Sequence, residues 1–348
     1  MPSNHSSFGA KTNLMDTKHL VDPELRPLLD QYADQAVNAQ TLGALRQVMI
    51  EAVPADDGAG DGLAVKVERR SVPRLNEPGT VGIVIVRPNA DKQNRGGILH
   101  LHTGGMVMGS PDSVLPLLRQ EAAQLDCVIV SVDYRLAPEA VFPAAIEDCY
   151  SALCWMAGEA GSLGVDPARI GVAGESAGGG LAAALTLLTR DRSGPKLAFQ
   201  NLLCPMLDDR TGSGGDSNSV TGQFVWKRED NRFGWTSLLG EAPGLLGEAP
   251  GGGDVSPYAA PARATNLAGL PPAYIAVGSI DLLLDEDVAY AMRLIRAGVP
   301  VELTVHPGAF HGFDFIAADA AVSQRAFQQR LDAFSRALLP PINVSDTR

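Results

Sequence analysis

Ile170-Gly171-Val172-Ala173-Gly174-Glu175-Ser176-Ala177-Gly178-Gly179-Gly180-Leu181-Ala182-Ala183-Ala184-Leu185 decides the fold. Residues 170–173 form a short apolar run of the kind buried in a parallel sheet. The Ala- and Leu-rich stretch from Gly179 to Thr189 reads as a helix. Between them stands Gly174-x-Ser176-x-Gly178. A tight strand-to-helix turn lifts a serine hydroxyl clear of the sheet, and flanking glycines let the backbones pass. The helix start also aims the Ala177 N–H, with a favourable partial charge, at the place where an acyl oxyanion would form. Glycine and serine are common, so an ordinary glycine-rich turn is the competing reading of these five residues alone.

The rest of the chain repeats the strand–helix rhythm. Ala64–Glu68, Val81–Arg87, Gly97–Leu101, Cys127–Val132, Phe199–Leu207, Ala273–Val277 and Val299–Val305 read as further strands. Asp148–Ala157, Asp285–Ala297 and Ala320–Leu339 read as helices, with Asp285 placed to cap the second and Gly298 to end it. Alternation of this kind implies an α/β fold with a mostly parallel sheet covered on both faces. Residues 56–208 and 263–348 supply it. Two regions fall outside. After a polar, unstructured tail at 1–15, residues 16–55 carry a helical pattern, with Thr41 placed to cap a second helix bearing Leu42, Leu45, Val48 and Met49. An acidic, Gly-containing linker follows at Pro54–Gly62. Residues 209–262 form an inserted segment holding Phe224, Trp226, Phe233 and Trp235, and a short Gly-Glu-Ala-Pro duplication at 240–243 and 247–250. Seven residues make no structural repeat, and an aromatic insertion between strands reads as a lid or cap.

The chain has 348 residues, 45% of them hydrophobic, enough for a sizeable core, and only 20% charged. Its formal net charge of -12 repels phosphate backbones and anionic membranes, so neither nucleic acid nor a membrane surface is an expected partner. The four cysteines, at 127, 149, 154 and 204, make no C-x-x-C pair and read as buried thiols of a reducing compartment, a disulfide staying open. No apolar signal region precedes Met15, and no run approaches a membrane span, so a cytoplasmic protein is the expectation.

An acyl-transfer site needs an oxyanion hole, a base and an acid. His102-Thr103-Gly104-Gly105 follows a strand, and glycine amides donate without side-chain bulk. Gly104 and Gly105, with Ala177, are the candidate donors, while His102 braces the loop and His100, on the strand, is structural. Met106 and Met108 either line an acyl pocket or pack. Phe224 and Trp226 are further pocket candidates from the insertion. Of six histidines, His311 lies in a Gly-flanked loop after the last strand and is the better base, and His306, at the strand end, reads as a surface residue. Asp281 follows the preceding strand and is the better loop carboxylate. Asp285, Glu286 and Asp287 read as helix-capping and dipole-compensating groups.

Together these residues resemble the hormone-sensitive-lipase-like esterases, bacterial family IV of the α/β-hydrolases, whose order is also Ser, Asp, His. The family's H-G-G-G motif appears as His102 to Gly105, followed by Gly109. Tyr134-Arg135-Leu136-Ala137-Pro138-Glu139 is intact, Asp281 to Glu286 matches D-P-L-x-D-E, and His311-Gly312-Phe313 matches H-G-F. The resemblance implies an α/β-hydrolase fold with a helical cap made from the N-terminal helices and the insertion. It implies a Ser176–His311–Asp281 triad, short- to medium-chain acyl esters as substrates, and neither metal nor organic cofactor. Many members are dimers, so a homodimer stays open. Thr103 replaces the first glycine, Leu282 the usual proline, and Glu175 stands where Asp or Thr is common. Glu175 either bonds the loops around the triad or is a structural or solvated carboxylate. An amidase or acyltransferase on the same triad is the alternative chemistry, and a non-catalytic ligand-binding protein the alternative class.

Overall fold

The apolar runs become strands because both faces of the sheet are covered. A computed structural model of the chain describes residues 16–32, 35–53, 62–212, 218–240 and 250–339. The expected tail 1–15, nearly all of the 54–62 linker and most of the Gly-Glu-Ala-Pro duplication lie outside the described residues. Among the described residues eight strands form one sheet: β1 (Val65–Pro73), β2 (Thr80–Pro88), β3 (Arg95–Leu101), β4 (Val128–Asp133), β5 (Val165–Glu175), β6 (Gln200–Leu203), β7 (Ala273–Gly278) and β8 (Val301–His306). Their order is β1-β2-β4-β3-β5-β6-β7-β8. β2 runs antiparallel to both β1 and β4, and the remaining pairs are parallel.

The helices are α1 (Leu29–Tyr32), α2 (Leu42–Glu51), α3 (Leu115–Leu125), α4 (Ala144–Gly158), α5 (Ala160–Leu163), α6 (Ala177–Asp191), α7 (Arg228–Leu239), α8 (Leu284–Arg296), α9 (Phe313–Ile316) and α10 (Ala321–Leu338). Alternate residues of β2, β3 and β4 divide between two cores. Ile83, Ile85, Leu99, Leu101, Val130 and Val132 join the side chains of α4 and α6. Val84, Val86, Ile98 and Ile129 meet Leu115 and Leu118 of α3 and Phe334 of α10. The chain leaves β3 for β4 on one side and returns to β5 on the other. The carboxyl ends of β3 and β5 therefore open a crevice at the point where strand order reverses, the usual place for a site in such a sheet.

Several local expectations change. The helical reading from Asp22 resolves into single turns at Lys18–Leu20 and Arg26–Leu28, the short α1, and α2. Thr41 precedes α2, but its hydroxyl does not cap it; it donates to the Ala36 carbonyl at 2.6 Å. Asp285 lies inside α8, one residue past its start, and accepts from the Asn218 side chain instead of capping. Gly298, at φ +82°, does stand just beyond the α8 terminus, as expected. The expected strand 199–207 stops at Leu203, because Cys204 takes a φ of +35°, which no strand continues. α3 and α7 were not anticipated: a Pro-Ser-rich start hides the first, and the second is polar on most of its surface.

Candidate active site

Ser176 alone separates β5 from α6, with φ 54° and ψ −118°. That backbone is strained for any residue with a Cβ and holds only because its surroundings fix it. The Ser176 N–H donates to the Leu203 carbonyl, and the Ser176 carbonyl accepts from the amides of Gly180 and Met206. The flanking glycines are obligatory for space. A Cβ on Gly178 would lie 1.9 Å from the Leu101 carbonyl oxygen, and one on Gly174 2.3 Å from that of Gly178.

The loops after β7 and β8 bring the other two residues to it. His311 Nε2 lies 2.8 Å from Ser176 Oγ, and His311 Nδ1 lies 2.9 Å from Asp281 Oδ2. The other carboxylate oxygen of Asp281 accepts the Leu283 amide at 2.9 Å, which fixes its plane. A carboxylate only accepts, so Nδ1 carries the ring proton and Nε2 presents its lone pair to the serine hydroxyl. All three residues are buried. His306 is buried too, not at the surface as its place at a strand end suggested. It packs on Phe313, ring centroids 5.4 Å apart, because the segment after β8 folds back over it.

The loop after β3 turns on Gly104 and Gly105, with φ of +127° and +61°. A Cβ on Gly104 would stand 2.0 Å from the Met108 carbonyl oxygen, and one on Gly105 2.3 Å from the Trp226 ring. Arg46 of α2 clamps the loop from outside, donating to the carbonyls of Val107 (2.7 Å) and Ala137 (2.9 Å) and pairing with Glu139. Ala177 is wholly buried at the first position of α6, where an amide has no partner within its own helix. With Gly104 as the oxyanion donor expected from the sequence, Gly104→Ala should lower kcat about 10²- to 10³-fold, the usual cost of losing such a donor, since the loop must move to admit the methyl group. Steady-state kinetics on an activated ester check this, with circular dichroism to show that the fold persists.

His102 braces this loop, as expected. Its ring stacks on Tyr134 at 4.1 Å, Nδ1 donates to the Thr103 carbonyl at 2.8 Å, and the Tyr134 hydroxyl donates to the His102 carbonyl at 2.7 Å. Complete burial pushes its pKa down to about 4. Between that value and the ordinary 6.5 the unfolded chain binds the extra proton, so stability is full above pH 6.5 and falls as pH drops toward 4. Lowering the pH from about 7 to about 5 should cost roughly 2 kcal/mol through this group. Urea unfolding of wild type and His102→Asn at both pH values checks it, and an equal acid loss in the two proteins refutes the assignment.

Glu175 does not bond the catalytic loops. It points to the α3/α10 side, where its carboxylate meets His100 Nε2 at 2.9 Å and Arg330 Nη2 at 2.5 Å. Burial works to raise its pKa, but His100 and Arg330 outweigh it and hold the carboxyl at about 2. Since that carboxylate accepts only, His100 donates through Nε2, and its Nδ1 faces Ser131 Oγ at 2.9 Å. His100 is thus the structural residue its strand position suggested. Arg330 also faces Glu121 at 3.1 Å. The sequence showed none of this, because Glu121 and Arg330 come from helices far apart in the chain.

A cavity of 260 Å³ opens on Ser176 and His311. Of the four pocket candidates, Met108 and Trp226 line it. Met106 does not: at φ +67° its side chain turns into the core, wholly buried, toward Gly180. Phe224 does not either, and packs instead on the cluster of Val21, Leu25, Ile280 and Phe310. Met49 of α2, Val225, Phe315, Ile316 and Cys204 also line the cavity without having been singled out for it, beside Glu175 and Asp314. For Met49 the signal was there, one helical face with Leu42 and Leu45. Trp226 stands over the site, 6.0 Å from the His311 ring, with its N–H donated to Asn231 of α7 at 3.0 Å. The four cysteines are all free thiols. No described helix is long and apolar enough to cross a membrane.

A family model described as the alpha/beta hydrolase fold matches residues 98–315. The esterase LipI of Mycobacterium tuberculosis is 36% identical over 305 residues, 82% of this chain and 91% of that one. The carboxylesterase NlhH of the same organism is 33% identical over 315 residues, 84% and 95% of the two chains. Among solved structures, a bacterial heroin esterase superposes with a TM-score of 0.85 at 38% identity, covering 93% of this chain and all of that one (100%). The chain belongs to the hormone-sensitive-lipase-like carboxylesterases of the α/β-hydrolase fold.

Proposed function

We propose that this carboxylesterase cleaves short- to medium-chain acyl esters by two acyl transfers through Ser176. The observation that carries the reading is the unbroken chain Asp281–His311–Ser176, with contacts of 2.9 and 2.8 Å, opening on an apolar cavity of 260 Å³. His311 Nε2 takes the serine proton as Oγ attacks the ester carbonyl. The Gly104, Gly105 and Ala177 amides receive the oxyanion. The tetrahedral species collapses, and the alcohol leaves with the proton from His311. Water then enters, gives its proton to the same nitrogen and releases the acid. Asp281 holds the tautomer and stabilises the imidazolium between the two transfers.

The N-terminal helices and the 209–262 insertion act as one cap in this reading. Two contacts support it: Asp230 of α7 accepts the Val37 amide at 2.7 Å, and Met49 shares the cavity wall with Trp226. A cavity this size, below the usual range for drug-sized ligands, suits a small acyl group. Rates across p-nitrophenyl esters from acetate to palmitate should peak at short to medium chains and collapse at palmitate. A fluorophosphonate should label Ser176, located by peptide mass spectrometry. A flat chain-length profile refutes the substrate class, and absence of label refutes the nucleophile.

A further inference from the structure

The thiol of Cys204 takes no part in either acyl transfer, yet it stands beside the residues that do. Cys204 follows β6, and its amide donates to the Ala276 carbonyl at 2.6 Å, which pins it between β6 and β7. It belongs to the wall of the catalytic cavity and also to that of a second cavity, of 620 Å³, between the sheet and the helices α3 and α10. Ligand-capable atoms of Cys204, Asp281 and His311 all lie within 4.8 Å of one another.

We infer that Cys204, Asp281 and His311 form an inhibitory binding site for a thiophilic divalent cation of the Zn²⁺ or Cd²⁺ type. Zinc takes sulfur at about 2.3 Å and nitrogen or oxygen at about 2.0–2.2 Å, so tetrahedral neighbours stand roughly 3.3–3.8 Å apart. Drawing the Cys204 sulfur in by about 1 Å and parting the His311–Asp281 contact by about half an ångström reaches that geometry, a rotamer adjustment rather than a change of fold. Either cavity can bring a water to the fourth position. One thiolate, one imidazole and one carboxylate favour zinc or cadmium over magnesium or calcium, which prefer all-oxygen sites.

The chemistry balances without an oxidant. The thiol releases its proton to solvent as the sulfur–metal bond forms. If His311 binds through Nε2, the lone pair that would take the serine proton is occupied. If it binds through Nδ1, the ring proton moves to Nε2 and the same lone pair is lost. Both routes remove the base, so the cation is an inhibitor and not a cofactor.

The inhibition rests on the triad reading, but the binding does not, and the two are tested apart. Ser176→Ala protein, which keeps all three ligands, is titrated with Cd²⁺. A single equivalent should raise the ultraviolet thiolate-to-cadmium absorbance, and the double variant S176A/C204A should lack that equivalent. In parallel, Zn²⁺ should lower wild-type ester turnover about tenfold or more, reversibly with EDTA. Cys204→Ala and Cys204→Ser, each measured against its own metal-free rate, should need about 10- to 100-fold more Zn²⁺ for the same inhibition. The serine variant is near-isosteric and keeps the comparison readable if the alanine variant misfolds. No band in S176A, or equal inhibition of wild type and both Cys204 variants, overturns the site. A band without inhibition overturns the part played by His311. Turnover of metal-free wild type tests the esterase reading independently.

Discussion

Ser176→Ala should lower kcat on p-nitrophenyl butyrate by about 10⁴- to 10⁶-fold and leave the fold intact. The alanine keeps the cavity, the loop amides and His311, so what remains is unassisted attack by water on a bound ester. Stability should barely change. The strain at φ 54° comes from the Cβ, which alanine retains. The lost hydroxyl removes one hydrogen bond to His311, worth about 1 kcal/mol. Ser176→Gly separates the two contributions. It should be as inactive as the alanine variant, yet more stable than it by about 1–3 kcal/mol, because glycine relieves the positive φ. Turnover in Ser176→Ala within about tenfold of wild type would sink the nucleophile assignment. Equal unfolding midpoints for the alanine and glycine variants would show that the elbow stores no strain.

What the sequence made legible follows from where its signals are local. The strands β2, β3, β4 and β7 and the second half of β5 are buried on both faces, so apolar residues dominate each of them. Ser176, Asp281 and His311 each sit on a turn whose own residues announce it, and their order along the chain joined them. The misreadings share a different cause. His306 looked exposed because nothing near it in sequence covers it; the helix-forming segment after His311 does. Met106 looked like a pocket residue because it follows the glycine loop, but its positive φ turns it inward. Phe224 and Trp226 are two residues apart and part ways, since Val225 between them takes φ +60°. Glu175 stayed open because its partners, His100 and Arg330, lie 75 and 155 residues away. Long-range ion pairs leave no periodic trace in a sequence.

Arg330→Met should cost about 3–5 kcal/mol of folding stability, more than any single contact of the catalytic residues contributes. Arg330 is only 2% exposed and meets two carboxylates, those of Glu175 and Glu121, which are themselves buried. Burial already raises the Glu121 pKa, and Arg330 offsets part of that. Without the guanidinium both carboxyls lose their buried counter-charge, and burial dominates. Their folded pKa values then rise above the unfolded ones, so the folded variant holds protons that the unfolded chain releases. Stability in such a case is retained at low pH and lost as pH rises through the folded pKa. The deficit should therefore be larger at pH 8 than at pH 5 in urea titrations. Adding Glu175→Gln to Arg330→Met should recover part of it at pH 8, since an amide oxygen still accepts from His100 Nε2 and needs no counter-charge. Failure of that rescue would point instead to lost packing, because Arg330 also lies over the Phe334 ring at 5.3 Å. Rescue would mean that an ion pair on the helix side of β5 fixes the residue next to the nucleophile. The strained turn at Ser176 would then be held from beneath by charge as well as from the flanks by glycine.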